Sequence, residues 1–122
     1  MMRYWDELLR EEVDGVIVVV DKSWEDLPIR DLFDDTVFDI AEMEDKVNRG
    51  DLDWFMLRAR VLYRGLELGS AIVGGFLYED PREVLRDGTA ADLIWQAKDE
   101  ASREIPKLIE GLLRVEVDRL AA

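Results

Sequence analysis

Residues 54–78, WFMLRARVLYRGLELGSAIVGGFLY, contain the pattern that most restricts the fold. Phe55, Leu57, Ala59, Val61 and Tyr63 alternate with Trp54, Met56, Arg58, Arg60 and Leu62. A period of two is that of a strand, whose successive side chains leave opposite faces. Arg64-Gly65 makes a turn, and the chain from Leu66 returns as the partner strand. An antiparallel hairpin over 54–63 and 66–78 is therefore expected. With a two-residue turn, Tyr63 faces Leu66, Val61 faces Leu68 and Leu57 faces Ile72 on the buried face. The other face then pairs Leu62 with Glu67, Arg60 with Gly69 and Arg58 with Ala71. A bulge at Gly65 would shift this register by one.

This register places Arg58 and Arg60 on the less buried face, beside small residues that leave room for long side chains. Their aliphatic stems would cover Met56 and Leu62 while the guanidinium groups stay wet and pair with acidic helices of the first half. A site for an anionic group is the alternative role for this base.

The remaining elements follow from periodicity and breakers. Arg3–Glu12 places Tyr4 and Leu8, with Trp5 and Leu9, on a helical stripe that Asp14-Gly15 ends. Val16–Val20 is a β-branched run that does not alternate, as in a central strand buried on both faces. Ser23 can cap a short turn, and Pro28 limits that helix or opens the next. Thr36 is a second N-cap, for a helix carrying Phe38, Ile40, Ala41, Met43 and Val47 that stops at Gly50. Gly74-Gly75 bends the returning strand. Asp80-Pro81-Arg82-Glu83 combines an N-cap, a proline at the first helical position and a glutamate after it. Thr89 and Asp92 open the longest helix, which Pro106 should kink or split. Beyond Pro106 the apolar residues, among them Leu108, Ile109, Leu112, Val117 and Leu120, exceed one stripe, so one set should face the sheet and the other needs the N-terminal helix or a second subunit. The fold class is α+β: one domain over 1–122, with a small antiparallel sheet of about three strands (16–20, 54–63, 66–78), a long C-terminal helix and shorter acidic helices.

The chemistry is bounded mostly by what is missing. The chain has no histidine and no cysteine, which removes the commonest general base, the Ser-His-Asp arrangement, the usual zinc sites and thiol nucleophiles. GSAIVGG at 69–75 is not followed by Lys-Ser/Thr, and no G-x-G-x-x-G occurs. Neither catalysis nor a cofactor is expected. The longest apolar run, VIVVV at 16–20, is far too short to span a bilayer, and MMRYWDELLREE lacks a signal peptide's apolar core. A soluble, cytoplasmic protein is expected.

The formal net charge is −13, which argues against direct contact with nucleic-acid phosphates or anionic membranes. Residues 1–53 hold 17 Asp and Glu against 6 Lys and Arg, and residues 54–122 hold 12 against 10. The acidity belongs to the first half, where Asp31, Asp34, Asp35, Asp39, Glu42 and Asp45 are clustered. Asp31, Asp34, Asp35 and Asp39 have spacings that could bring oxygen ligands to Mg²⁺ or Ca²⁺, but they lack the glycine and terminal glutamate of a calcium loop. A charged helix entrance accounts for them better.

In its small size, acidity, lack of cysteine and short α+β layout, the chain resembles accessory proteins of phages and mobile elements. These include anti-CRISPR and anti-restriction proteins, some of which imitate nucleic-acid charge. The resemblance lies in composition and layout, with no residue motif. The expected function is a non-enzymatic binding protein whose acidic residues, the six named above, engage a basic, nucleic-acid-binding protein. A homo-oligomeric scaffolding module through 108–120 and a carboxylate-metal enzyme are the alternatives.

Overall fold

The computed structural model describes residues 3–115. Four strands, β1 (Asp6–Val13), β2 (Val16–Trp24), β3 (Asp53–Tyr63) and β4 (Leu66–Tyr78), form one antiparallel sheet in the order β1-β2-β3-β4. Two short helices, α1 (Ile29–Leu32) and α2 (Ile40–Asn48), lie between β2 and β3. A 3₁₀ turn (Pro81–Leu85) leads into α3 (Thr89–Leu113), which packs across one face of the sheet. The class is the expected α+β, with one strand more than expected.

The extra strand is the segment expected to be the first helix. Asp14 and Gly15 both take left-handed backbone angles, φ 53° and 82°, so the pair forms a tight hairpin turn and does not break a helix. It joins β1 to β2, with Val13 opposite Val16. Arg64-Gly65 has the same geometry, φ 50° and 80°, and joins β3 to β4. Both hairpins therefore close on a charged residue followed by glycine. In β2, Val19 and Val20 face opposite sides and are both buried, as a central strand requires.

The core lies between the sheet and α3. Val20, Phe55, Leu57, Ala59 and Val61 meet Ala90, Leu93, Ala97 and Ala101, with Val84 closing one end. The Phe55 ring lies 5.8 Å from both Phe76 and Tyr78. The alternation seen in the sequence thus assigns the faces of β3 correctly.

The register of β4 differs from expectation. Leu62 pairs with Glu67, but Val61 pairs with Gly69, so Leu68 is an extra residue in a bulge. Beyond it the pairs are Arg60 with Ser70, Arg58 with Ile72 and Leu57 with Val73. Gly69 and Ala71 therefore lie beneath α3, not beside the arginines. The reason is the helix: a Cβ on Gly69 would stand 2.6 Å from the Ala101 backbone nitrogen and closer still to the Ala97 carbonyl oxygen. Only glycine allows that approach.

A second irregularity occurs at Gly74-Gly75, where φ of Gly75 is +83°. The Glu25 carboxylate crosses this face and accepts a hydrogen bond from the Gly75 backbone N–H at 2.9 Å and from that of Leu27 at 3.2 Å. A Cβ on Gly74 would meet that carboxylate.

Two expected caps are reassigned. Ser23 lies within β2, buried, and donates to the Tyr4 carbonyl at 2.6 Å. Asp39, not Thr36, caps α2 by accepting from the Glu42 backbone N–H. The helix still ends before Gly50, whose φ is +82°. Pro28 does open α1, and Asp80 caps the 3₁₀ turn through the Arg82 N–H. α3 runs unbroken through Pro106, so the expected split does not occur. Val117 and Leu120 lie outside the described residues.

Candidate functional site

The six acidic residues singled out in the sequence lie on α1, on the turn after it and on α2, and all are exposed. They do not have equal freedom. Asp34 accepts hydrogen bonds from the Thr36 backbone N–H at 2.9 Å and its hydroxyl at 2.7 Å. The Thr36 backbone bond, with the hydroxyl bond behind it, holds the Asp34 carboxyl below the usual carboxylate range. Asp39 is engaged as the α2 cap. Glu42 pairs with Lys46 at 3.3 Å and Asp45 with Arg49 at 3.1 Å, both one turn apart on α2. Asp31 and Asp35 have no side-chain partner among the described residues. Among these residues no three carboxylates converge closely enough to hold a metal ion.

The acidic helices are anchored by aromatic contacts. Phe33 stacks edge-on to Phe38 at 5.1 Å and against Trp54 of β3 at 5.8 Å. The Trp54 indole N–H donates to the Leu27 carbonyl at 2.8 Å. Trp54 points to the sheet face away from α3, so α1 and α2 are held at the β2-exit end of that outer face.

Further along the outer face, Arg58 and Arg60 do not reach the acidic helices. Both turn onto Asp21 of β2, the cross-strand partner of Arg58. The Arg58 Nε and Nη2 donate to the two Asp21 carboxylate oxygens at 2.9 and 2.7 Å, and Arg60 Nη2 donates at 3.2 Å. The Asp21 side chain is 4% exposed, so its charge is tolerable only because it is bidentately paired. The Arg58 guanidinium also lies 3.9 Å from the centre of the Trp5 ring. Arg60 Nε is buried without an acceptor. The N-terminal segment closes over this group through Arg3, which donates to the Trp24 carbonyl at 2.6 Å and pairs with Asp26.

The place of Asp21 in the sequence carries a signal for this pairing. A carboxylate directly after a buried valine run must find a cation, and two arginines occupy the adjacent strand. This pairing explains why so acidic a chain concentrates arginine in 58–60, and it leaves the surface more acidic.

Residues 3–60 hold seventeen carboxylates and eight cationic side chains. Each of those cations lies within 4.0 Å of a carboxylate from the same stretch. Nine carboxylates remain without a cation among the described residues, including Asp31, Asp34, Asp35 and Asp39. Among the described residues no helix is long and apolar enough to cross a membrane. The chain matches no protein-family model, no curated protein and no solved structure.

Proposed function

We propose that this protein is a non-enzymatic binding protein that presents its acidic first half to a basic, nucleic-acid-binding partner. The supporting observation is the saturation of the base: every cation of residues 3–60 is occupied by an internal carboxylate, and nine carboxylates are left over. An exposed surface of one sign steers an oppositely charged partner and accelerates association. Repeated carboxylates on adjoining turns offer such a partner what a phosphate row offers it.

The geometry separates charges free to act from those with structural work. Asp31 and Asp35 are unengaged, and Glu42 has only an exposed pair, worth about 0–1 kcal/mol. Asp34 and Asp39 hold the turn and the cap, so replacing them would perturb the fold. The test is the triple variant Asp31→Asn, Asp35→Asn, Glu42→Gln in a displacement assay. A basic DNA-binding protein is loaded on a labelled duplex, and release is followed across a salt series. The native chain should displace it at low salt, with an effect that fades over the range where screening shortens to about 8–10 Å. The triple variant should keep its circular dichroism spectrum, displace less and show a shallower salt slope. Equal displacement and slope for both chains would refute the reading.

A further inference from the structure

The inner face of the sheet extends past the cover that α3 provides. At the turn end, Val13, Val16, Tyr63 and Leu66 form a row of cross-strand partners through all four strands. Opposite this row, Ile105, Leu108, Ile109 and Leu112 of α3 form the other wall. The helix touches β4 most closely at Gly69, where its own residues are Ala97 and Ala101. Beyond that point its large residues stand away from the sheet and leave an open groove of about 570 Å³. Ile109 is 52% exposed and Leu112 65%.

We propose that a second copy of this chain fills this groove, so that the protein is a two-fold dimer joined at the turn end of its sheet. The first argument is area. The exposed fractions of the four helix residues, with those of Val13, Tyr63 and Leu66, amount to about three and a half whole large side chains. That is on the order of 600 Å², about three-quarters of the roughly 800 Å² per partner of a stable interface. The second is charge. Arg64, on one rim of the groove, has no carboxylate within 4.0 Å among the described residues, while Asp14 in the β1–β2 turn has no cation. Along α3, Glu104 pairs with Lys107 and Glu110 with Arg114. An isologous contact sets each rim against its opposite, bringing Arg64 of each copy to the acidic turn of the other. The third is backbone. Arg64 occupies a left-handed position, φ 50°, where glycine or asparagine would be less strained. Within its own chain the Arg64 guanidinium lies over the Tyr63 ring, 5.5 Å from its centre, and among the described residues it finds no carboxylate.

The dimer surface lies at the end of β2 opposite the acidic helices, so this inference does not depend on the acidic-surface reading. Sedimentation of the full-length chain over a concentration series at low and moderate salt tests it. The native chain should move from monomer to dimer as concentration rises. Ile109→Glu with Leu112→Glu, both on exposed positions, should keep the circular dichroism spectrum and remain monomeric throughout. Arg64→Glu should weaken the dimer at least about tenfold at low salt, and adding Asp14→Arg should restore much of the loss. A native chain that stays monomeric at every concentration would overturn the proposal; if its melting temperature then fell on Leu112→Glu, residues 116–122 would be the occupant instead. A dimer that persists in Ile109→Glu/Leu112→Glu but is lost in Ile72→Pro, on the free edge of β4, would also overturn it.

Discussion

Replacing Gly69 by alanine tests the closest approach in the fold. The added methyl would stand 2.6 Å from the Ala101 backbone nitrogen, 3.0 Å from its Cβ and closer to the Ala97 carbonyl oxygen. These are mostly backbone atoms of a helix, so no side-chain rotation relieves the clash. α3 must lift by several tenths of an ångström or more, which loosens Leu93, Ala97 and Ala101 from Ala59 and Val61. Overpacking of this kind costs about 1–3 kcal/mol. The reduced freedom of the unfolded chain returns about 0.4–1 kcal/mol, so a net loss of about 1–2 kcal/mol is expected. That corresponds to a fall in melting temperature on the order of 4–8 °C for a chain of this size. Gly111 supplies the contrast: it lies within α3 with nothing within 4 Å of an added Cβ. Gly111→Ala should stabilise the protein by about 0.5–1 kcal/mol through helix propensity alone. Urea unfolding followed by tryptophan fluorescence would compare the two at equal protein concentration. If Gly69→Ala proved as stable as the native chain, the tight crossing of α3 over β4 would be wrong, and with it the bulge at Leu68.

Asp21→Ala should cost about 2–4 kcal/mol, because it strands two largely buried guanidinium groups. Removing Arg58 as well should cost less than the two single losses added together, and a strictly additive double-mutant cycle by denaturant melts would contradict the pairing. Acid stability should respond to Tyr78, whose hydroxyl hydrogen-bonds to Asp87. That bond, with the Thr89 backbone N–H behind it, holds the Asp87 carboxyl below its ordinary range. A carboxyl depressed in the folded state binds protons more readily when unfolded, so its contribution is present above about pH 4 and is lost as pH falls through the folded value. Thermal melts from pH 6 down to pH 2 should therefore show a shallower acid decline in Tyr78→Phe than in the native chain, and an unchanged slope would rule out the linkage.

Much of the fold was legible where local signals and tertiary demands agree. The alternation in 54–63 assigned the faces of β3, Gly50 ended α2, and Asp80-Pro81 opened a helical turn, because each depends on neighbours within a few residues. The errors share one cause. Arg3–Glu12 sets Tyr4 and Leu8, and Trp5 and Leu9, at helical spacing, and only pairing with β2 across Asp14-Gly15 makes it a strand. Gly69 looked like room for an arginine and proved to be room for a helix thirty residues later in the chain. Ser23 and Thr36 look like caps because capping is local, whereas the buried position of Ser23 was set by the returning N-terminal segment. Asp21 belongs to the same class: the register between β2 and β3, invisible in either strand alone, makes it the partner of Arg58.

The same long-range pairing shapes the candidate surface. Had Arg58 and Arg60 stayed wet and reached the helices, they would have neutralised two of the carboxylates on α1 and α2. Asp21 binds both arginines within the sheet at the expense of a single carboxylate, and the Trp5 ring covers the Arg58 guanidinium. The acidic helices therefore keep their excess charge at one end of β2. The tight β1–β2 and β3–β4 turns lie at the other end with the apolar groove, roughly 30 Å away at the rise of a nine-residue strand. That distance is several screening lengths at physiological ionic strength, so charge at one end has little influence on association at the other. In a chain of net charge −13, the proposed dimer would then form at the apolar end and leave the acidic end free for the proposed basic partner.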